Sequence, residues 1–169
     1  HPNNIHETTL ELLTELIKEN IDKIVAIGEI GLDYKWVDEM ETREKQKKIF
    51  EKRLNLSKEY ELPVSVHSRM AYRDALDLAV KNGSENIIFH WYDGPLDILD
   101  EILEKGYLIS ATPAIEVSDT HTAVIQETPL NRLLMETDSP VYIRKYKKTA
   151  EPADVTITAK ALAKIKNKK

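Results

Sequence analysis

The chain of 169 residues contains no cysteine, which excludes a disulfide framework, a thiolate zinc site and a cysteine nucleophile. It has no apolar run near the ~18 residues needed to cross a bilayer, and its first residues lack the basic and apolar regions of a signal peptide. Glycine is scarce, at five residues, and Gly28 with Gly31 does not make a dinucleotide fingerprint because the third glycine is missing. Repeats and low-complexity tracts are also absent. What remains is 41% hydrophobic and 31% charged, a composition that supports a packed core rather than disorder. One domain over residues 1–169 and a soluble, cytoplasmic setting are the plain expectations.

The net charge of −5 conceals an asymmetry. Residues 142–169 carry nine Lys/Arg against two acids, whereas the preceding 141 residues are net acidic at −12. An acidic body argues against sequence-independent coating of DNA. It does not exclude a phosphate-bearing substrate, because bound divalent cations invert the local field.

Apolar spacing predicts a helix over Glu7–Asn20 and a buried strand at Ile24–Ile27. A long charged helix follows from about Thr42, with Ile49, Phe50, Leu54, Leu56 and Tyr60 on one side. Leu62–Val66 is the next strand, and Ala71–Lys81 a helix stopped at Asn82-Gly83. Strand Ile87–Phe89, a helix opened by Pro95, and strand Tyr107–Ser110 come next. A helix capped by Ser118, strand Arg132–Met135 and a last helix after Pro152 complete the chain. Strand and helix alternate throughout, which implies right-handed βαβ units and a mostly parallel sheet. Residues 141–151, with four basic residues and no apolar period, read as irregular.

Four of the five strands end in a group able to ligate a cation. Glu29 follows the first, His67 the second, His90 the third, and Glu136-Thr137-Asp138 the last. In parallel α/β folds, loops from several strands converge at that end. Imidazole with carboxylate suits Zn, Mn, Fe or Mg, although a single strand-end His is more often a hydrogen-bonded structural residue. Asp33 and Tyr34 belong either to a turn in which Asp33 bonds its own backbone or to support behind the ligands. Arg69 has the geometry for a substrate phosphate or for a surface ion pair. Trp91 and Tyr92 either stack on a base or pack beneath their loop, and His121 reads as a surface residue. Alternation places Glu136 and Asp138 on one face. Glu136 is expected to lie deeper, bonded to backbone N–H groups or a basic partner, with Asp138 alone meeting metal.

The segments Ala26–Tyr34, Leu62–Arg69, Phe89–Gly94 and Leu134–Pro140, in that order and spacing, resemble the TatD family of metal-dependent deoxyribonucleases. Glu151-Pro152-Ala153-Asp154-Val155 is similar to the family's Asn-Glu-Pro segment, with Ala150 where Asn usually stands, and His1-Pro2 to the Gly-x-His-Pro that ends an earlier strand. The resemblance implies a TIM-like barrel and one or two divalent cations (Mg, Mn or Zn) held by Glu29, His67, His90 and Asp138. It also implies that Asp138 accepts a proton from the attacking water, and that DNA is the substrate. Arg69, His1 and Trp91 are the expected substrate contacts. The family's first-strand His-x-His pair has no counterpart here, so the chain is expected to be the last five βα units of a barrel of ~250 residues. Its sheet edges near Val25 and Leu134 would then be open to self-association. Hydrolysis of carboxylic esters, amides or aminoacyl-tRNA on the same site, or an inactive fragment, are the alternatives.

Overall fold

A computed structural model describes residues 1–2 and 8–167, and its chain divides into two compact units, 1–89 and 90–169. In the first, helix α1 (Thr8–Asn20) leads to strand β1 (Ile27–Gly31), followed by α2 (Met40–Glu59), β2 (Val64–His67), α3 (Tyr72–Asn82) and β3 (Ile87–Phe89). The expected start of the first helix at Glu7 lies outside the described residues. β1 pairs in parallel with β2, joining Ile27 to Val64 and Gly31 to His67, and β2 pairs in parallel with β3. Each pair is bridged by a helix because parallel strands require a crossover. The core packs Ile49, Phe50 and Leu54 of α2 with Val64, Val66, Leu76, Ile87 and Phe89. α3 stops where Gly83 takes the left-handed conformation (φ 71°) and its N–H bonds the Val80 carbonyl.

The first strand is displaced from its predicted place. Val25 is 83% exposed and Ala26 is also exposed, so the apolar run starts ahead of the strand instead of forming it. The pairing falls at Ile27–Gly31, and Glu29 therefore sits within β1.

The second unit continues with α4 (Leu96–Glu104), β4 (Leu108–Ala111), α5 (Asp119–Glu127) and β5 (Leu133–Met135). A short hairpin, β6 (Tyr142–Ile143) with β7 (Lys148–Thr149), precedes α6 (Val155–Ile165). β4 and β5 pair in parallel, and β6 and β7 antiparallel. Ser118 caps α5, its hydroxyl oxygen accepting the His121 N–H at 3.2 Å. Leu99, Ile102, Ile109, Val124 and Ile125 are buried together with Tyr92, whose hydroxyl donates to the Pro95 carbonyl. Residues 141–151, read as irregular, contain this hairpin. Two residues per strand leave too short a stretch for any apolar period to register.

Candidate metal centre

In the first unit the site begins with a close approach of two backbones. Gly31 has φ +138°, and a Cβ placed there would stand 2.0 Å from the His67 carbonyl oxygen. Only a residue without a side chain fits against β2 at this point. That proximity carries the chain onward, since Leu32 N–H donates to His67 O at 2.9 Å and Tyr34 N–H to Arg69 O at 3.0 Å. The backbone of Asp33 is held by one side chain of α2. Its N–H donates to Gln46 Oε1 at 2.9 Å, and Gln46 Nε2 donates to its carbonyl at 3.2 Å.

His67 stands between two carboxylates. Its Nδ1 lies 2.5 Å from Glu29 Oε1, and its Nε2 3.1 Å from Asp33 Oδ2. Asp33 is 1% exposed: its Oδ1 accepts the Lys35 N–H at 3.0 Å, the expected turn bond, and its Oδ2 lies against the His67 ring. Burial works against the charged carboxylate, but the bond from Arg69, the Lys35 N–H and the Arg69 charge prevail and keep its pKa below the usual range. Arg69 donates Nε and Nη2 to Asp33, an internal ion pair. His1 brings its ring to 4.6 Å from that of His67 and its Nε2 to 3.9 Å from Asp33. His1, Asp33 and His67 thus offer ligand atoms all within 4.8 Å of one another. Asp33 is the member that strand-end counting missed, since it stands two residues past β1. The Asp beyond Gly31-Leu32 was its only signal.

The second unit repeats the scheme. His90 Nδ1 lies 2.7 Å from Glu136 Oε1, and Nε2 3.5 Å from Asp138 Oδ1. Glu136 also accepts from the Ser110 hydroxyl, which in turn receives the Trp91 N–H. Its own backbone is pinned on both sides, its N–H to Ala111 O and its carbonyl by Thr158 Oγ1 of α6. His90, Glu136 and Asp138 also place ligand atoms within 4.8 Å. Glu136 does not lie deeper than Asp138, because both side chains are 26% exposed. β5 ends at Met135, and Asp138 adopts φ +52°, so strand alternation no longer governs this segment. Trp91, at φ +39°, is a second non-glycine residue in the left-handed region, turning the chain directly after His90.

His121 is not on the surface; it is wholly buried. The Thr112 N–H donates to its Nε2 at 3.3 Å, so Nδ1 carries the proton and donates to the Tyr92 carbonyl at 2.8 Å. Burial lowers its pKa, outweighing that hydrogen bond and the nearby acidic groups. The neutral ring ties the loop after His90 to the end of β4. Its Ser118-capped helix was legible, but which polar residue of that helix turns inward was not.

Imidazole nitrogen beside carboxylate oxygen, as found in both units, is a donor set suited to a divalent metal ion. No helix among the described residues is long and apolar enough to cross a membrane.

The same architecture occurs in solved structures. A TatD homologue of Escherichia coli superposes with a TM-score of 0.85 at 26% identity, over 98% of this chain and 66% of that one. A TatD-family hydrolase of Entamoeba histolytica gives 0.82 at 27% identity, over 100% and 67%. The fold class is therefore the TIM-like barrel of metal-dependent hydrolases, represented here by five βα units. Among curated sequences, human deoxyribonuclease TATDN3 is 31% identical over 93% of the chain and 58% of its own length. An uncharacterized metal-dependent hydrolase of Methanocaldococcus jannaschii is 36% identical over 98% and 65%. The profile of the TatD related DNase family matches residues 1–169, and the chain belongs to that family. It spans about three fifths of the length of the relatives it matches.

Proposed function

We propose that this chain carries the strand-end machinery of a metal-dependent hydrolase that cleaves phosphodiester bonds in DNA. The observation that supports it most is the repeated pairing of a strand-end histidine with carboxylates, His67 with Glu29 and Asp33, His90 with Glu136 and Asp138. It occurs in a chain whose human relative is named a deoxyribonuclease. Glu29, His67, His90 and Asp138 are the proposed ligands of one or two divalent cations. A cation held by them would supply an acidified water and charge to offset that on the phosphoryl oxygens. Asp138 takes the proton of the attacking water. Glu136 and Ser110 hold His90 by its Nδ1 side, leaving Nε2 directed toward Asp138. Asp33 and Arg69 hold the facing side of His67. Because Nε and Nη2 of Arg69 are committed to Asp33, its proposed phosphate contact falls to Nη1. His1 and Trp91 are the remaining proposed substrate contacts.

Cleavage of single-stranded DNA with Mg²⁺ or Mn²⁺ tests the reading. Asp138→Asn is expected to lower the rate by about 10²–10⁴, the usual worth of a positioned general base. Equal rates in the two proteins would remove Asp138 from the mechanism. Turnover of carboxylic esters with none of DNA would replace the substrate class.

A further inference from the structure

The β6–β7 hairpin carries four of the nine basic residues of segment 142–169 in an otherwise acidic chain. Residues 142–149 hold Arg144, Lys145, Lys147 and Lys148 with no acidic residue, which leaves −9 for the rest of the net −5. Every residue of that stretch except Ile143 is exposed. The hairpin is rooted beside Asp138: Val141 N–H donates to Asp138 O at 2.9 Å, Ala150 N–H to Val141 O at 2.8 Å, and Ser139 Oγ to Ala150 O at 2.7 Å. Ile143 and Ala150, both buried, anchor the root in the core.

Its basic residues divide into two sets. Lys145 donates to Glu116 Oε1 at 2.7 Å and Tyr146 to Glu116 Oε2 at 2.6 Å, while Lys148 donates to Asp154 at 2.8 Å. Those bonds brace the hairpin against the loop after β4 and against the segment that opens α6. Arg144 and Lys147, which flank the tip, have no carboxylate partner among the described residues. Lys147 is at φ +50°, closing the turn that starts at Arg144. A braced loop presenting two uncommitted cations is suited to a polyanion and needs little ordering upon binding. At ~3.4 Å per residue the tip stands about 10 Å along the chain from Val141.

We propose that this hairpin is a phosphate-binding arm, in which Arg144 and Lys147 hold the backbone of a single DNA strand next to the bond presented to Asp138. The assignment rests on the hydrolase reading above. Arg144 matches a phosphate bidentately, and Lys147 adds a point charge. Exposed Tyr142 at the base offers a face on which a base can stack.

Anisotropy of a fluorescein-labelled oligodeoxythymidylate, titrated with the full chain in EDTA at several salt concentrations, tests the arm. Arg144→Ala with Lys147→Ala is expected to weaken binding at low salt and to reduce the slope of log K against log[salt] by about 1.4, two single-strand phosphate contacts. Lys52→Ala with Lys105→Ala, which removes the same charge at exposed sites outside the hairpin, is expected to leave that slope unchanged. Equal slopes in wild type and the hairpin variant, or equal losses in both variants, would overturn the proposal. Hydrolysis of the same oligonucleotide by wild type with Mn²⁺ is read separately. Its absence would remove the nuclease reading, while the binding slope still decides whether the hairpin holds phosphate.

Discussion

A buried neutral imidazole imposes a direction on pH dependence, and His121 is such a group. Its folded pKa lies below the unfolded value, so below pH ~6.5 the unfolded chain binds the extra proton and stability falls. The slope from this group cannot exceed about 1.4 kcal/mol per pH unit. Urea unfolding at pH 7 and pH 5 is expected to show a smaller difference in His121→Asn than in wild type. An unchanged difference would mean that the ring is already charged in the folded protein. At this scale the candidate ligands were readable because Glu, His and Asp follow strands in a repeating position. The groups that orient them were less so. Asp33, bonded to the His67 ring, was readable only as one of two alternatives, a turn residue or support, while nothing in residue type marks Ser110 as the hydroxyl the fold brings to Glu136.

Among the elements, the β1–β2 pair is defined by an absent side chain. A methyl at position 31 meets the His67 carbonyl, and its φ of +138° is strained for any other residue. Gly31→Ala is therefore expected to cost about 1–3 kcal/mol from backbone conformation alone, with more from the displaced carbonyl. Denaturant unfolding measures the loss, and an unaltered midpoint would show that the two strands separate freely. The same feature explains why β1 was displaced from its predicted place. Hydropathy locates Ile24–Ile27, but pairing is set by close backbone contact at Gly31, and a glycine leaves no trace in an apolar pattern. β2, β3 and β4 fell within two residues of expectation because their short apolar runs are largely buried, and β5 did so although Leu134 and Met135 are exposed. α2 and α3 were equally legible from one apolar side and, for α3, from Asn82-Gly83.

For the whole molecule, strand edges and exposed apolar side chains bear on whether copies of the chain can pair. Among the described residues β1 pairs only with β2 and β5 only with β4, while Val25, Leu134 and Met135 remain exposed. Unpaired strand groups next to apolar surface favour pairing with another chain. We expect concentration-dependent oligomers in light scattering coupled to size exclusion, and expect Val25→Lys with Leu134→Lys to shift them toward monomer. A monomer at all concentrations in the unsubstituted chain would refute this. The Gln46 amide, bonded to both backbone groups of Asp33, imposes another global constraint. It serves that loop as a neighbouring strand would, but it is carried by a helix of 20 residues. Opening the loop requires both of those bonds to break, so the Asp33 amide hydrogen should exchange with solvent more slowly in wild type than in Gln46→Ala, and the lifetime of the geometry around His67 is tied to a side chain of the 20-residue helix α2.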